Sequence, residues 1–374
     1  MKKNKSKKIP ILLIMVLVII LIFCCYEISI LLKHPKENKL KKLNYTDEAI
    51  EVINKFDIED KVSEKEYSKT LEAALLSGKF KLENLDLYYY FEYKEDDRFI
   101  NDLNSLSSIG YNQKEITEIF ELLSFDNIDK LLNHSYVENL TEYLKYDYFK
   151  IDYLDRYIEY YKKTSSYEKS ITYVNIGLDK NFYEDYKVVD NASSTLVLVN
   201  KYNFLPSDYV PEDLVTLGGS YSLTNVKMKK EAAKKFEELS TDASTLGLSI
   251  LGMSGYRSYE YQKNLYNRYK ANDPKNVDTY SARPGASEHQ TGLALDVATK
   301  TTTYTNFGKT KEYTWLKENA HKYGFIIRYT KDNMSITGYK SEEWHIRYVG
   351  EEVAKYIYEN NITFDEYYVK FLEK

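Results

Sequence analysis

The stretch Ser287-Glu288-His289-Gln290-Thr291-Gly292-Leu293-Ala294-Leu295-Asp296 decides how this chain is read. Leu293 to Ala298 has the apolar content and length of a buried strand. His289 and Asp296 lie seven positions apart, an odd offset that in one straight strand sends them to opposite faces. For both to act at one point, the chain must break between them, and Gly292 suits that turn.

Glu342-Glu343-Trp344-His345 is the second polar cluster. Glu342 and His345 are three apart, so a continuous strand separates them, and Glu343 shares the face of His345 instead. Glu342 reaches His345 only if the chain bends before Trp344. A catalytic zinc takes three protein N or O ligands and leaves one position for water. His289, Asp296 and His345 supply such a set, with Glu342 as the base for a water whose pKa zinc lowers to about 7. Residue types alone leave a second reading open, in which both histidines are satisfied by packing or solvent.

The flanking sequence has mixed elements. Thr195–Val199 and Leu248–Met253 have strand character, as do Phe325–Tyr329 and Trp344–Val349. Helices are expected at Met228–Leu246, Tyr259–Tyr269 and Trp315–Tyr323, the last ended by Gly324, and then from about Glu351 and Phe364. Strands and helices without regular alternation predict an α+β fold.

Four motifs occur in order: Ser254-Gly255-Tyr256-Arg257-Ser258, Tyr261-Gln262, Ser287-x-His289-x-x-Gly292-x-Ala294-x-Asp296, and Glu342-x-Trp344-His345. Together with Leu198–Tyr202 and Tyr209–Val215, they resemble the zinc D-alanyl-D-alanine carboxypeptidase family, in its VanY-like branch. The resemblance spans about residues 195–360. It implies one Zn2+ per chain on His289, Asp296 and His345, with Glu342 as general base and then acid. It also implies roles for Arg257, Gln262 and Ser287 around the substrate. Arg257 offers a fixed fork of donors to a terminal carboxylate or an oxyanion. Trp344 is expected to pack under the site, and His321 to be no ligand.

At the other end, Ile9 to Tyr26 is an uncharged, mostly apolar run that continues past Glu27 to Leu32, preceded by five lysines. Some 20 such residues span a bilayer core, and the lysines place the N-terminus inside. An uncleaved single-pass anchor through residues 9–32 is the expectation. A cleaved signal or a lipidated cysteine would equally put the catalytic region outside the cytoplasmic membrane. The expected divisions are a basic tail and transmembrane anchor (1–33), a linker (34–45), an all-α spacer or docking region (46–170) and the carboxypeptidase domain (171–374). Ile116, Ile119 and Phe120 in the spacer keep helical spacing, and Asn44–Asp47 and Ser124–Asn127 offer caps. Tyr88-Tyr89-Tyr90-Phe91 suggests core or strand-like packing, and no repeat register is evident.

Composition narrows the function further. Hydrophobic residues make up 43% of the chain, with only 6 Pro and 14 Gly, which excludes collagen-like and wholly disordered classes. The first 33 residues carry a net +5, leaving the remainder at −10 of the chain's −5. That distribution argues against nucleic-acid binding. The two cysteines, Cys24 and Cys25, lie in the apolar run, so there is neither a disulfide framework nor a thiolate metal site. Three functions fit these observations. The first is a membrane-anchored, extracytoplasmic zinc D,D-carboxypeptidase removing the C-terminal D-alanine from peptidoglycan stem peptides. The second is an L,D-carboxypeptidase or peptidoglycan endopeptidase of the same fold. The third is a non-catalytic cell-wall binding protein.

Overall fold

The structure, a computed structural model, describes residues 11–33 and 35–373, with the side chains of the first helix described over residues 15–28. The backbone is helical over Ile11–Lys33. No helix among the described residues is long and apolar enough to cross a membrane. The expected anchor, residues 9–32, lies partly outside those residues, so the structure lends the predicted transmembrane helix no support of its own. The chain divides into two compact units after Leu144.

The first unit is helical. On Gln113–Leu122 the residues Ile116, Ile119 and Phe120 face inward, and Asn112 and Glu115 close a capping box at its start. Thr46 and Ser124 cap the helices that follow them, as their sequences suggest. The expected linker 34–45 is instead helical over Pro35–Lys42. Leu40 is fully buried there, and Glu37 accepts a hydrogen bond from Asn54 at 3.1 Å. Tyr88 is buried in the core, but on the helix Leu85–Tyr90 rather than on a strand-like segment.

A repeat is present after all. Lys81 N donates to Tyr88 Oη (3.0 Å), Tyr88 Oη donates to Asn104 Oδ1 (2.6 Å), and Asn104 Nδ2 donates to Lys79 O (2.8 Å). In the second unit Lys150 N donates to Tyr157 Oη (3.3 Å), Tyr157 Oη to Asn175 Oδ1 (2.6 Å), and Asn175 Nδ2 to Tyr148 O (2.9 Å). Each tyrosine sits on the helix that follows a 3-10 turn, Leu82–Asn84 or Ile151–Tyr153. The tyrosines are 69 residues apart and the asparagines 71, so an insertion inside the module hides the period from sequence inspection.

The second unit begins at Lys145, earlier than the expected boundary at 170/171. Its helices Leu154–Thr164 and Tyr167–Ile176 belong with the C-terminal helix Phe364–Phe371, whose Lys370 Nζ donates to Glu168 Oε1 at 2.6 Å. The heart of this unit is a four-stranded antiparallel sheet in the order Leu251–Ser254, Ala294–Ala298, Glu342–Tyr348, Phe325–Tyr329. With the helices, it makes the expected α+β fold.

Alternation along these strands gives the sheet two unlike faces. Leu295, Val297, Ile346 and Phe325 enter a core shared with Ala232, Phe236 and Leu239 of the helix Lys230–Thr245. The opposite face carries Asp296, His345, Arg347 and Arg328. Asp296 pairs directly with His345 across the ladder, and Ala294 with Arg347.

Of the expected strands, Thr195–Val199 is not one. Val197, Leu198 and Val199 are buried, but the segment has no neighbouring strand. Arg347 Nη2 donates to the carbonyls of Thr195 (3.0 Å) and Val197 (2.9 Å), satisfying backbone groups that a ladder would otherwise pair. The helix expected over Trp315–Tyr323 starts earlier, at Lys311, and tightens into a 3-10 turn over Ala320–Tyr323. Gly324 stops it at φ +80°. Truncating Leu295, which is fully buried on the core face, to Ala should cost about 3 kcal/mol. Urea unfolding of the variant would measure that loss against wild type.

Candidate active site

The chain break that the sequence requires is present. Glu288–Thr291 forms a 3-10 turn, Gly292 follows at φ +70°, and the strand begins at Ala294. A side chain at Gly292 would also press on Leu214, 2.9 Å from the added carbon. The bend at the other motif is present too. Ile346 pairs with Ile327 but Glu342 pairs with Tyr329, so the 342–348 strand bulges between those pairs. The bulge puts Glu342 Oε2 3.9 Å from His345 Nδ1. Glu343 turns away towards Gly308, so the parity rival does not reach the cluster.

His289, Asp296 and His345 converge, one ligand atom from each lying within 4.8 Å of the others, and all three are buried. His289 Nε2 is 3.4 Å and His345 Nδ1 3.2 Å from Asp296 Oδ1. The edge of a tetrahedron with zinc–ligand bonds of about 2.0–2.1 Å is about 3.3 Å. The donor set and its spacing therefore fit zinc.

The ring nitrogens that face away from Asp296 are both hydrogen-bonded to oxygen acceptors. His289 Nδ1 is 2.8 Å from Gly255 O, which can only accept, so the proton sits on Nδ1 and Nε2 keeps its lone pair. His345 Nε2 is 3.3 Å from Glu288 Oε2 and donates to it, which leaves Nδ1, 3.2 Å from Asp296 Oδ1, as the nitrogen a metal would take. Each imidazole thus turns its other nitrogen towards Asp296, Nε2 of His289 and Nδ1 of His345.

Charge reinforces this arrangement. Burial, aided by Arg257, pushes His289 down to about 4, keeping it neutral near pH 7. For His345, burial is outweighed by Asp296 and Glu288, which raise it to about 9. Asp296 at Nδ1 and Glu288 at Nε2 both favour positive charge on or beside this ring. Burial would raise Asp296, but His289 and Arg257 hold it well below the usual carboxylate range. Burial pushes Glu342 up to about 7 against the pull of His345.

Arg257, Gln262, Ser287 and Glu342 line one cavity of about 530 Å³ with the three-residue cluster. Arg257 Nη2 donates to Asp296 Oδ2, and its Nε donates to Ser254 Oγ at 2.9 Å. It is bound to a cluster residue as well as facing the cavity. Gln262 Nε2 donates to Ala282 O at 2.8 Å, while its buried Oε1 has no hydrogen-bond partner among the described residues. The group it leaves available is an acceptor. Trp344 packs against the apolar core beneath the sheet. It also reaches the cavity wall, with its ring edge-on to Tyr304 at 5.1 Å. His321 stacks on Tyr358 at 3.9 Å, away from the cluster.

Sequence inspection missed the groups behind the cluster. Glu288 accepts from Arg328 Nε (2.8 Å) and Arg347 Nη1 (3.2 Å) as well as from His345. Arg328 and Arg347 stand in otherwise apolar strands, Phe325-Ile326-Ile327-Arg328-Tyr329 and Ile346-Arg347-Tyr348. A charge inside a strand read as buried needs a partner, and that was the available clue.

The comparisons with known proteins agree with this geometry. A family model described as VanY, D-alanyl-D-alanine carboxypeptidase, matches residues 225–351. The Bacillus subtilis protein named "Putative carboxypeptidase YodJ" is 38% identical over 224 residues, covering 56% of this chain and 82% of that protein. The chain belongs to the VanY family. Its catalytic unit is therefore that of a metallopeptidase. A bifunctional D-Ala-D-Ala dipeptidase and D-Ala-D-Ala carboxypeptidase, VanXYC of Enterococcus gallinarum, is another VanY relative. It is 34% identical over 181 residues, 47% of this chain and 94% of that one. Among solved structures, the LD-carboxypeptidase LdcB is 37% identical with a TM-score of 0.47, covering 50% of this chain and 91% of LdcB. The VanY match contains all the residues of the cluster and its cavity partners Arg257, Gln262, Ser287 and Glu342. It stops short of the terminal helix.

Gly255 offers a test of the His289 geometry. A Cβ there would lie 2.3 Å from Lys227 O, so the backbone that presents the Gly255 carbonyl to His289 must move. Gly255→Ala should lower stability by about 1–3 kcal/mol and loosen metal retention, checked by thermal melts with and without added zinc.

Proposed function

We propose that this chain is a zinc D,D-carboxypeptidase that removes the C-terminal D-alanine from peptidoglycan stem peptides. The observation that carries the reading is the convergence of His289, Asp296 and His345 with Glu342 and Arg257 in one cavity. His289 Nε2, His345 Nδ1 and an Asp296 oxygen would hold one zinc ion. When bound, zinc lowers the pKa of a water on its open position and polarises the scissile carbonyl.

The chain's own groups do the rest. Glu342, raised by burial towards neutral pH, takes a proton from the attacking water and passes it to the leaving amine nitrogen. Arg257 holds Asp296 through Nη2, while its Nη1 makes no hydrogen bond among the described residues. That nitrogen serves the oxyanion or the terminal carboxylate of the substrate. Gln262 Oε1 accepts a substrate N–H, because its amide nitrogen already holds Ala282 O. Ser287 offers a hydroxyl on the same wall.

The same reading places the catalytic unit outside the cytoplasmic membrane, with residues 9–32 as a single-pass anchor. The support is the lysine-rich start and the uncharged run that follows it. Peptidoglycan, the proposed partner, lies on that side.

The test incubates the full chain with muropeptides ending in D-Ala-D-Ala and reads products by mass spectrometry. One terminal alanine should be lost, the loss should stop with a chelator, and zinc should restore it. Cleavage of tetrapeptide stems alone would move the assignment to an L,D-carboxypeptidase, and an internal cut would make it an endopeptidase. No product from zinc-loaded protein would favour a wall-binding role. Separately, Glu342→Gln should reduce kcat by at least 10²-fold while zinc content stays at the wild-type level.

A further inference from the structure

Behind the cluster runs a continuous line of buried ionic groups. Glu288 splits its two oxygens: Oε2 accepts from His345 Nε2 at 3.3 Å, and Oε1 accepts from Arg328 Nε at 2.8 Å and Arg347 Nη1 at 3.2 Å. Arg328 in turn donates from Nη1 to Asp365 Oδ2 at 2.7 Å, and Asn200 Nδ2 donates to Asp365 Oδ1 at 2.8 Å. The side chains of Glu288, Arg328, Arg347 and Asp365 are at most 1% exposed. Asp365 lies on the terminal helix Phe364–Phe371, beyond the residues that match the VanY family model.

We propose that Glu288, backed by Arg328 and Asp365, is a positioning chain that fixes the tautomer and ring orientation of His345 for metal binding, making the terminal helix part of the metal site's support. The proposal rests on the zinc assignment above. The chemistry is specific. Among the described residues, Glu288 is the only acceptor within hydrogen-bond reach of His345 Nε2. A carboxylate there holds a proton on Nε2, so that Nδ1 is the nitrogen that gives up its proton when a metal joins Asp296. Arg328 bridges Glu288 and Asp365, so the carboxylate is held from behind and cannot rotate away from the ring. Stability alone does not account for such a network, since well-packed apolar residues often do as well as buried ion pairs.

In Glu288→Gln, one carboxylate oxygen becomes an NH2. With its remaining oxygen taken by the arginines, the amide nitrogen faces His345 Nε2 and donates to it, drawing the ring proton to Nδ1. The test measures zinc affinity of the full chain by competition with a chromophoric chelator, alongside the visible spectrum of the Co2+-substituted protein and far-UV circular dichroism. Glu288→Gln is expected to weaken zinc binding by about 10–100-fold and to change the Co2+ spectrum while the protein stays folded. Asp365→Asn, more remote, should shift both in the same direction by a smaller factor. Wild-type zinc affinity in folded Glu288→Gln protein would overturn the proposal, as a purely structural role predicts a lower melting temperature alone. If that variant does not fold, an unchanged zinc affinity in Asp365→Asn overturns it. Failure of the wild-type chain to bind zinc would instead overturn the metal-site assignment, and this inference with it.

Discussion

The pairing of Asp296 with His345 across two antiparallel strands is the constraint on which the rest depends. Residues directly opposite on a ladder hold their Cβ atoms about 4.5–5.5 Å apart and on the same side. That places a carboxylate and an imidazole within reach of one ion with no help from a loop. A slip of one residue would turn one partner towards Phe236 and the apolar core. The core face holds the register, since Leu295 and Ile346 pair at the next position and are both fully buried. The same hydrophobic alternation that builds the sheet therefore aims the polar groups.

Each further element of the site departs from regular structure at one defined point. The 3-10 turn and the left-handed Gly292 bring His289 round to the face of Asp296. The bulge between Glu342 and Ile346 brings Glu342 to the face of His345. Irregular segments elsewhere around the sheet also leave backbone carbonyls to be satisfied, and here side chains do it. Arg347 takes two carbonyls of the 195–197 segment, and the His289 ring takes the carbonyl of Gly255. The groups that supply charge to the site also hold its irregular backbone in place.

Much of this was legible in the sequence. Parity arithmetic on His289 and Asp296 demands a break, and Gly292 marks it. The same arithmetic on Glu342 and His345 demands a bend, although it cannot say whether the chain makes one or presents Glu343 instead. The α+β class follows from the mixed elements, and the proposed metal-binding trio, which the structure brings together, from donor chemistry together with family resemblance. What escaped depends on tertiary partners. Thr195–Val199 has strand composition, but its hydrogen bonds go to a guanidinium some 150 residues away in sequence. Pro35–Lys42 is polar enough to pass for a linker, and one buried leucine makes it a helix with a place in the first unit. The tyrosine–asparagine bracket recurs with unequal spacing, so only its hydrogen bonds reveal it.

The two histidines meet the cluster through different nitrogens, His289 by Nε2 and His345 by Nδ1. They are therefore not equivalent in reach. The carboxamide of asparagine falls close to where an imidazole carries Nδ1, and that of glutamine close to Nε2, so each site has its own neutral mimic. Asparagine suits position 345 and glutamine suits position 289. Exchanged, each would hold its oxygen roughly one bond length out of place, which a buried cluster with ligand atoms only 3.2 to 3.4 Å apart cannot absorb. The site thus has a handedness along the sheet, a short arm on one strand and a long arm on the turn. The chemistry of a single ion reads that difference even though both arms are the same amino acid.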